Sequence, residues 1–351
     1  NSVVNGIASS VLADPELKWE TTSQYNVGID YGMFNNRLSV TAEYYYKVTN
    51  DLLLNQTIPS TSGYSQILTN VGKLQNQGFE FGIRGVALDR NGFRLMLSGS
   101  LSLNRNKLLE VNTENGELWM DDIFMKEGYP IGLFRGQDFM GIFKSQQEID
   151  EYVHPETGQK IMPGAKPGDV KYRDVNNDGK ISGEDWVILG NSNPDFIWNF
   201  GGDFEYKNVM LSFLFIGSQG NSIRNKTKAY YTQVSTMRSN LSRDVLDRWH
   251  ETKNPDGNFM RLGGTGTMPN VEDGSFVKLQ NIRLSYRFRL PKLGIEEIDL
   301  FVSAQNVFPL PDYSGFDPDI NTMSDSNVNF GTDNAAFPNP KVLSAGFSIK
   351  F

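Results

Sequence analysis

The chain has 351 residues, a net charge of −8 and no cysteine. The lack of cysteine excludes disulfides and cysteine nucleophiles, and the negative charge argues against nucleic acid as a partner, because a surface that binds phosphates needs clustered Lys and Arg. No apolar run approaches the roughly 18 residues that a membrane-spanning helix needs.

Three hairpins are predicted first, from segments in which apolar and polar residues alternate. Successive side chains of a strand point to opposite faces, so each segment has one apolar face and one polar face. Asn and Gly in the turns tolerate the positive φ angles that a tight hairpin demands. The paired segments are 25–33 with 38–46 around Asn35 and Asn36, 79–88 with 93–103 around Asn91 and Gly92, and 198–206 with 209–215 around Lys207 and Asn208.

Three further strands are predicted toward the end of the chain. In the last of them, apolar residues alternate with small or polar residues as far as Phe351. In another, Arg283, Arg287 and Arg289 share one face, where they need water or anionic partners. The three segments are 282–290, 298–304 and 342–351.

This alternation is typical of a membrane β-barrel, in which one face of each strand meets lipid and the other meets water. The connections alternate between a few residues and several tens, as in outer-membrane barrels with short periplasmic turns and long extracellular loops. We therefore predict an all-β fold, an antiparallel transmembrane β-barrel with about ten strands in this chain. A soluble all-β protein, which the composition favours when taken alone, is the alternative and would turn its apolar face inward.

Residues 174–185 match the twelve-residue calcium-binding loop. Oxygen-bearing side chains stand at its first, third and fifth positions, Gly179 permits the sharp turn, and an acid closes the loop. That acid is Asp and not the Glu of EF-hands, and no long amphipathic helix precedes the loop. We predict a structural calcium ion that stiffens the loop, and a turn rich in Asp and Asn without an ion is the alternative. The predicted ligands are Asp174, Asn176, Asp178, the carbonyl group of Lys180, Ser182 and Asp185.

The residues needed for most catalytic sites are scarce. The two histidines, His154 and His250, lie far apart in predicted loops, and there is no Gly-x-Ser-x-Gly nucleophile motif. We therefore predict that the chain is not an enzyme. Aromatic side chains in the long loops could stack on sugar rings or grip peptides, or could serve only to pack the loops together. The candidates for substrate contact are Trp119, Tyr129, Tyr230, Tyr231 and Tyr313.

Several motifs follow one another in the order found in a known family. They are LKWET (17–21), NVGKLQNQGFEFGI (70–83), EGYPIGLFRGQDFMGIF (127–143), the segment 167–196 around the calcium-like loop, DRWHE (247–251), DGSFVKLQNIRLSYRFRLP (273–291), AQNVF (304–308) and YSGFDPD (313–319). Phe351 matches the terminal aromatic residue that barrel-assembly machinery recognises. On these motifs the chain resembles the C-terminal half of a SusC/RagA-type TonB-dependent outer-membrane transporter, over essentially its whole length.

The resemblance implies a place in the bacterial outer membrane, with residues 1–351 forming the C-terminal part of a lipid-embedded barrel of about 22 strands. The plug domain and first barrel half would be absent, which agrees with a chain that opens at Asn1 in a predicted loop, without an initiating Met or signal peptide. It also implies import of an oligosaccharide or peptide, with TonB engaging the absent part and a SusD-like surface lipoprotein closing over the substrate. This chain would supply barrel wall and substrate-chamber loops, with the calcium-like loop 174–185 on the extracellular side.

Two alternatives to this function are open. Within membrane proteins, a passive porin would have the same wall without the plug. From another class, a soluble calcium-binding β-domain that binds carbohydrate would need no detergent to stay in solution. The family's substrate residues vary too much to be carried over to this sequence.

Overall fold

The computed structural model describes residues 11–58, 60–64, 66–120, 123–234, 240–290, 292, 294–307, 313–319, 322 and 330–351. Within these residues the main element is an antiparallel sheet of nine strands, in which each strand pairs with the next one along the chain. The predicted antiparallel architecture is therefore confirmed, with nine strands where about ten were expected. The strands are β1 (Thr21–Met33), β2 (Leu38–Asn50), β3 (Gly72–Arg90), β4 (Phe93–Val111), β5 (Phe196–Tyr206), β6 (Val209–Gln219), β7 (Phe276–Leu290), β8 (Ile295–Val307) and β9 (Val342–Lys350).

Short turns join neighbouring strands at one end of the sheet. Asn36 and Asn91 have φ angles of 63° and 54°, in the left-handed region that Asn tolerates better than most residues. The long connections 51–71, 112–195 and 220–275 begin and end at the opposite end of the strands. All three predicted hairpins are confirmed. Their last pairs before the turns are Met33 with Leu38, Arg90 with Phe93, and Tyr206 with Val209.

Strand pairing assembles the alternate residues into continuous rows across the sheet. Large apolar side chains form the rows of one face, and many of them are exposed, among them Val302 (54%) and Leu284 (47%). Such a continuous exposed apolar surface needs an apolar surrounding. One row of this face runs through Leu88, Leu95, Phe204, Leu211, Leu284, Val302 and Ala345.

The opposite face is polar, and two of its arginines, Arg283 and Arg287, have anionic partners. Arg283 Nη2 lies 2.6 Å from Asp299 Oδ2, and Arg287 Nε lies 3.8 Å from Glu297 Oε1. Both carboxylates are on β8, the strand next to the arginines on β7. The arginines were expected to need water or anionic partners, and Arg283 and Arg287 have carboxylate partners. A polar face of this kind suits contact with water.

The long connections carry short elements of their own. Neither α-helix in the described part of the chain has the length and apolar character needed to cross a membrane. The helices are α1 (Gln146–Glu151), α2 (Lys226–Thr232) and the 3-10 helices Ser60–Ser62, Gly183–Asp185 and Arg243–Asp247. The short strands are Val11–Ala13, Leu53–Thr57, Gln66–Asn70, Glu117–Met120, Ile123–Lys126, Leu133–Gln137, Phe139–Ile142, Val170–Tyr172, Trp186–Asn191, Ser222–Asn225, Val271–Asp273 and Thr332–Asp333.

The buried apolar clusters lie where the long connections pack, and not between two faces of the sheet. One cluster joins the loop-side ends of β3 and β4, through Leu74 and Leu108, to Met125 of the following connection. A second lies wholly within the connections and includes Val170, which is fully buried. Burial of such side chains contributes roughly 1.5–3 kcal/mol each. The loops are therefore a packed layer with a hydrophobic interior, able to hold side chains in fixed positions.

Candidate functional site

The first half of the acidic loop wraps backbone N–H groups around side-chain oxygens. The N–H of Asp178 donates to Asp174 Oδ1 at 3.2 Å and to Asn176 Oδ1 at 3.0 Å, and the N–H of Gly179 donates to Asp174 Oδ2 at 2.9 Å. Gly179 has a φ angle of 85°, which explains glycine at the turn position. The side chains of Asp174 and Asn176 therefore point into the loop, as the calcium-loop pattern requires.

The second half of the loop is closed by Asp185, whose side chain is fully buried. Its Oδ1 accepts the N–H of Val175 at 2.9 Å, and its Oδ2 accepts the N–H of Ser182 at 2.7 Å. Ser182 in turn caps the 3-10 helix by accepting the N–H of Glu184 at 3.1 Å. Lys180 Nζ lies 3.6 Å from Asp178 Oδ2. The two ends of the loop are thus tied together through one carboxylate.

All six predicted ligands belong to this one loop, and their oxygen donors are of the type that calcium prefers. In the described residues, however, no group of three or more acidic or histidine side chains is gathered closely enough to hold a metal ion. The carboxylates of Asp174 and Asp185 are engaged by backbone N–H groups instead. The donor set therefore fits calcium in chemistry and order, while binding would require the carboxylates to converge.

His154 anchors this loop to the segment that follows α1. Its Nε2 lies 2.9 Å from the carbonyl oxygen of Asn177, which itself has a φ angle of 56°. Its Nδ1 accepts the N–H of Thr157 at 3.2 Å, so the ring donates from Nε2. This role could not be predicted, because His154 lies 23 residues before Asn177 and outside the motif.

The predicted aromatic residues lie in different surroundings. Tyr230 and Tyr231 on α2 are 56% and 43% exposed and meet edge to face, with ring centroids 5.6 Å apart. Tyr129 is also exposed, with Lys126 Nζ 5.8 Å from its ring centroid. Trp119 lies in a short strand, and its side chain is outside the described part of the structure. These residues do not form one continuous aromatic surface.

A cavity of about 420 Å³ adjoins α2 and brings Tyr231 together with residues that the sequence did not single out. Phe316, which is 71% exposed, lines the same cavity, as do Asp244 and Asn240. One aromatic ring on each of two loop segments, with hydroxyl and amide groups between them, is an arrangement suited to a flat polar ligand.

Glu272 stabilises the wall of this cavity. Its Oε2 accepts the N–H of Ser314 at 2.9 Å, and its Oε1 accepts the Ser314 hydroxyl at 2.9 Å and lies 3.1 Å from Lys228 Nζ. Burial by itself would raise the pKa of Glu272, but the bonds from Ser314 and Lys228 outweigh burial and hold that pKa below its usual range. The ionised carboxylate therefore joins α2 to the segment that carries Phe316.

Tyr313 lies inside the loop layer and is only 5% exposed. Its hydroxyl donates to Asp333 Oδ2 at 2.6 Å, while Thr227 Oγ1 donates to Asp333 Oδ1 at 3.0 Å. Burial and the neighbouring carboxylates, Asp333 first among them, raise the pKa of Tyr313. Its position agrees with the packing role that the sequence left open beside substrate contact.

Comparison with known proteins identifies this combination of wall and loops. Residues 2–307 match the family model described as TonB dependent receptor-like, beta-barrel. The chain belongs to this family. It is a family of outer-membrane receptors and transporters and not of enzymes, so the predicted location and the absence of catalysis are confirmed. The apolar face of the sheet is therefore the lipid face, and the polar face lines the barrel interior.

Several relatives resemble the whole of this chain. It is 33% identical to TonB-dependent receptor P26 of Formosa agariphila, over 100% of this chain and 37% of that protein. It is 26% identical to TonB-dependent receptor SusC of Bacteroides thetaiotaomicron, over 95% of this chain and 32% of that protein. The expected SusC/RagA-type membership is confirmed, and the chain spans about a third of the length of the curated relatives it matches.

Solved structures agree on the fold. The RagAB peptide transporter matches with a TM-score of 0.76 at 23% identity, over 96% of this chain and 36% of that one. The RagAB peptide importer in its open-open state matches with a TM-score of 0.75, also at 23% identity, over 96% of this chain and 35% of that one. This likeness establishes that the nine-stranded sheet and its loops have the arrangement of part of such a barrel.

Proposed function

We propose that the protein carrying this chain imports a bulky nutrient through the outer membrane, driven through TonB, and that this chain supplies barrel wall and substrate-chamber loops. Membership in the TonB-dependent receptor family is the observation that carries the proposal. The polar interior face, with ion pairs such as Arg283 to Asp299, supports a water-filled passage. TonB itself would engage a part of the protein outside these residues.

A SusD-like surface lipoprotein is the proposed lid. The long connections all lie at one end of the strands and are packed around buried clusters. They therefore form an ordered surface against which a lid could close. The likeness to SusC and to the RagAB peptide transporter supports a cargo that is either an oligosaccharide or a peptide.

The cavity beside α2 is the proposed point of substrate contact. Exposed Tyr231 and Phe316 offer aromatic faces, on which both sugar rings and peptide side chains can stack. Lys228 and Glu272 form an ion pair, so together they add no net charge to the cavity wall. Tyr230 and Tyr129 are exposed enough to extend the contact surface.

Calcium is the proposed structural ion of residues 174–185. Its ligands would be Asp174, Asn176, Asp178, Lys180 through its carbonyl group, Ser182 and Asp185, and the ion would hold the loop in one shape. The inward-pointing side chains and the buried carboxylate of Asp185 support this proposal.

The test of transport compares uptake of oligosaccharides and of peptides of matched mass by cells that carry the whole protein. Uptake of one class that stops when TonB is deleted is the expected result. Uptake that persists without TonB would instead favour a passive porin. Copurification from detergent-extracted outer membranes tests the lid, because a surface lipoprotein should be recovered in a fixed ratio to the barrel.

A further inference from the structure

A groove of about 700 Å³ lies in the lipid face of the sheet, next to the short turn between β1 and β2. Its floor is formed by Gly85 on β3 and Gly99 on β4, and its walls include Leu38, Ile83 and Phe200. In the sheet register Leu38 pairs with Gly85, and Ile83 pairs with Gly99, so all of these belong to the outward-facing set of residues. The groove therefore opens to the membrane and not to the barrel interior.

The two glycines give the groove its depth. Neither Gly85 nor Gly99 has a φ angle in the left-handed region, so the backbone does not require glycine at these positions. A Cβ atom added to Gly99 would lie 3.3 Å from the carbonyl oxygen of Asn199, a close contact, and 4.0 Å from side-chain atoms of both Ile83 and Phe200. Any larger side chain there would extend between those two residues and fill the groove.

A cation lies at the end of the groove nearest the turn. Arg37 lines the groove and is exposed, and its carbonyl oxygen accepts the N–H of Val86 at 2.8 Å, which fixes its backbone beside β3. Within the described part of the chain, the Arg37 guanidinium forms no ion pair with a carboxylate. An apolar groove with a cation at one end matches a molecule with an apolar chain and an anionic head.

We propose that this groove binds one glycerophospholipid, with an acyl chain between Ile83 and Phe200 and the phosphate on Arg37. Continuity with the lipid face makes a membrane lipid the natural occupant, and a guanidinium matches the geometry of a phosphate. The short turns of outer-membrane barrels face the periplasm, so the groove meets the inner leaflet. That leaflet consists of glycerophospholipid, whereas lipopolysaccharide occupies the outer leaflet. The proposal depends on the membrane orientation and not on the transported nutrient.

The test uses the whole protein in nanodiscs, transferred to detergent for native mass spectrometry. Three lipids with identical acyl chains serve as probes: phosphatidylglycerol, phosphatidylethanolamine and diacylglycerol, which lacks the phosphate. We expect one retained phospholipid per protein and much weaker retention of diacylglycerol. Arg37→Gln should weaken phospholipid retention about fivefold, and Gly99→Leu should abolish retention by filling the groove.

Two matched variants serve as controls. Arg90→Gln removes another exposed arginine at the same end of the strands, and Ala345→Leu enlarges a small residue of the lipid face far from the groove. Both should retain phospholipid as the unchanged protein does, and circular dichroism should show the same β-sheet content in every variant. Equal retention of diacylglycerol, or an unchanged phospholipid affinity in Arg37→Gln, would overturn the proposal.

Discussion

The ammonium group of Lys278 lies 2.5 Å from the carboxylate of Asp319 and thereby joins wall strand β7 to the loop that follows β8. The Lys278 side chain is only 3% exposed, whereas that of Asp319 is 41% exposed. Asn339 reinforces the same loop, because its side-chain amide donates to the carboxylate of Asp317 at 2.9 Å and to the carbonyl oxygen of Asp319 at 3.1 Å. A buried cation on the wall therefore holds the loop that follows β8 in position.

Asp319→Asn should release this loop. The substitution leaves Lys278 buried without its anion, and loss of a hydrogen bond to a charged group costs about 1.5–3 kcal/mol. Chymotrypsin should then cut more rapidly after Tyr313 or Phe316 in outer-membrane preparations. As the control, Glu296→Gln breaks the exposed pair between Glu296 and Lys350, which should cost less than about 1 kcal/mol and leave cleavage unchanged. Equal cleavage of Asp319→Asn and of the unchanged protein would show that the ion pair between Lys278 and Asp319 does not hold the loop in position.

Terbium should report on the acidic loop. Trp186 follows Asp185 directly and is 39% exposed, so it can sensitise the luminescence of a bound terbium ion that calcium then displaces. Asp178→Asn should weaken calcium binding at least about tenfold, since mutations around metal sites commonly cost that much. Asp150→Asn, which removes an exposed acid paired with Lys160, is the matched control. A terbium signal that calcium cannot displace would argue for an ion-free turn.

Glu272 should make the loop layer sensitive to acid. Because the fold lowers the pKa of this carboxyl group below its ordinary value of 4.5, its stabilising contribution is complete above that pH and is lost as the pH falls through the lowered value. Tyr313 remains neutral throughout this range, because its pKa is raised. At neutral pH, Glu272→Gln should lower the free energy of unfolding by about 1–3 kcal/mol.

The readout for this prediction is thermal unfolding followed from neutral pH to below the ordinary carboxyl range. The curves of Glu272→Gln and of the unchanged protein should converge at the acidic end, where both side chains are neutral. Curves that stay parallel over the whole range would show that Glu272 does not titrate with folding.

The wall could be predicted from sequence because its information is local. Alternation along each strand fixes which residues share a face, and the turn at Asn35 and Asn36 fixes the register of β1 on β2. Once the pair of Met33 with Leu38 is set, Tyr25 opposite Tyr46 follows by counting residues. The acidic loop was recognisable for the same reason, since its ligand positions lie within twelve consecutive residues.

The loop layer could not be predicted, because its contacts join residues far apart in sequence. Thr227 and Asp333 are separated by 106 residues and share a buried hydrogen bond. No periodic pattern in the sequence around Thr227 or Asp333 predicts that the two residues meet. The roles of Phe316 and of the groove at Gly99 could not be predicted either. An exposed ring, or a glycine without a side chain, can be interpreted only when its neighbours in space are known.

Tyr231 and Tyr313 should separate substrate contact from loop packing. Tyr231→Ala changes a partly exposed residue, so we expect stability to change by less than about 0.5 kcal/mol while nutrient uptake falls. Tyr313→Phe removes the hydroxyl that donates to buried Asp333, and should cost about 1–3 kcal/mol of stability without altering uptake per folded molecule. Tyr31→Phe, which removes a hydroxyl from an exposed ring on wall strand β1 and away from the loops, is the control. Reduced uptake with unchanged melting in Tyr313→Phe would instead place Tyr313 at the substrate.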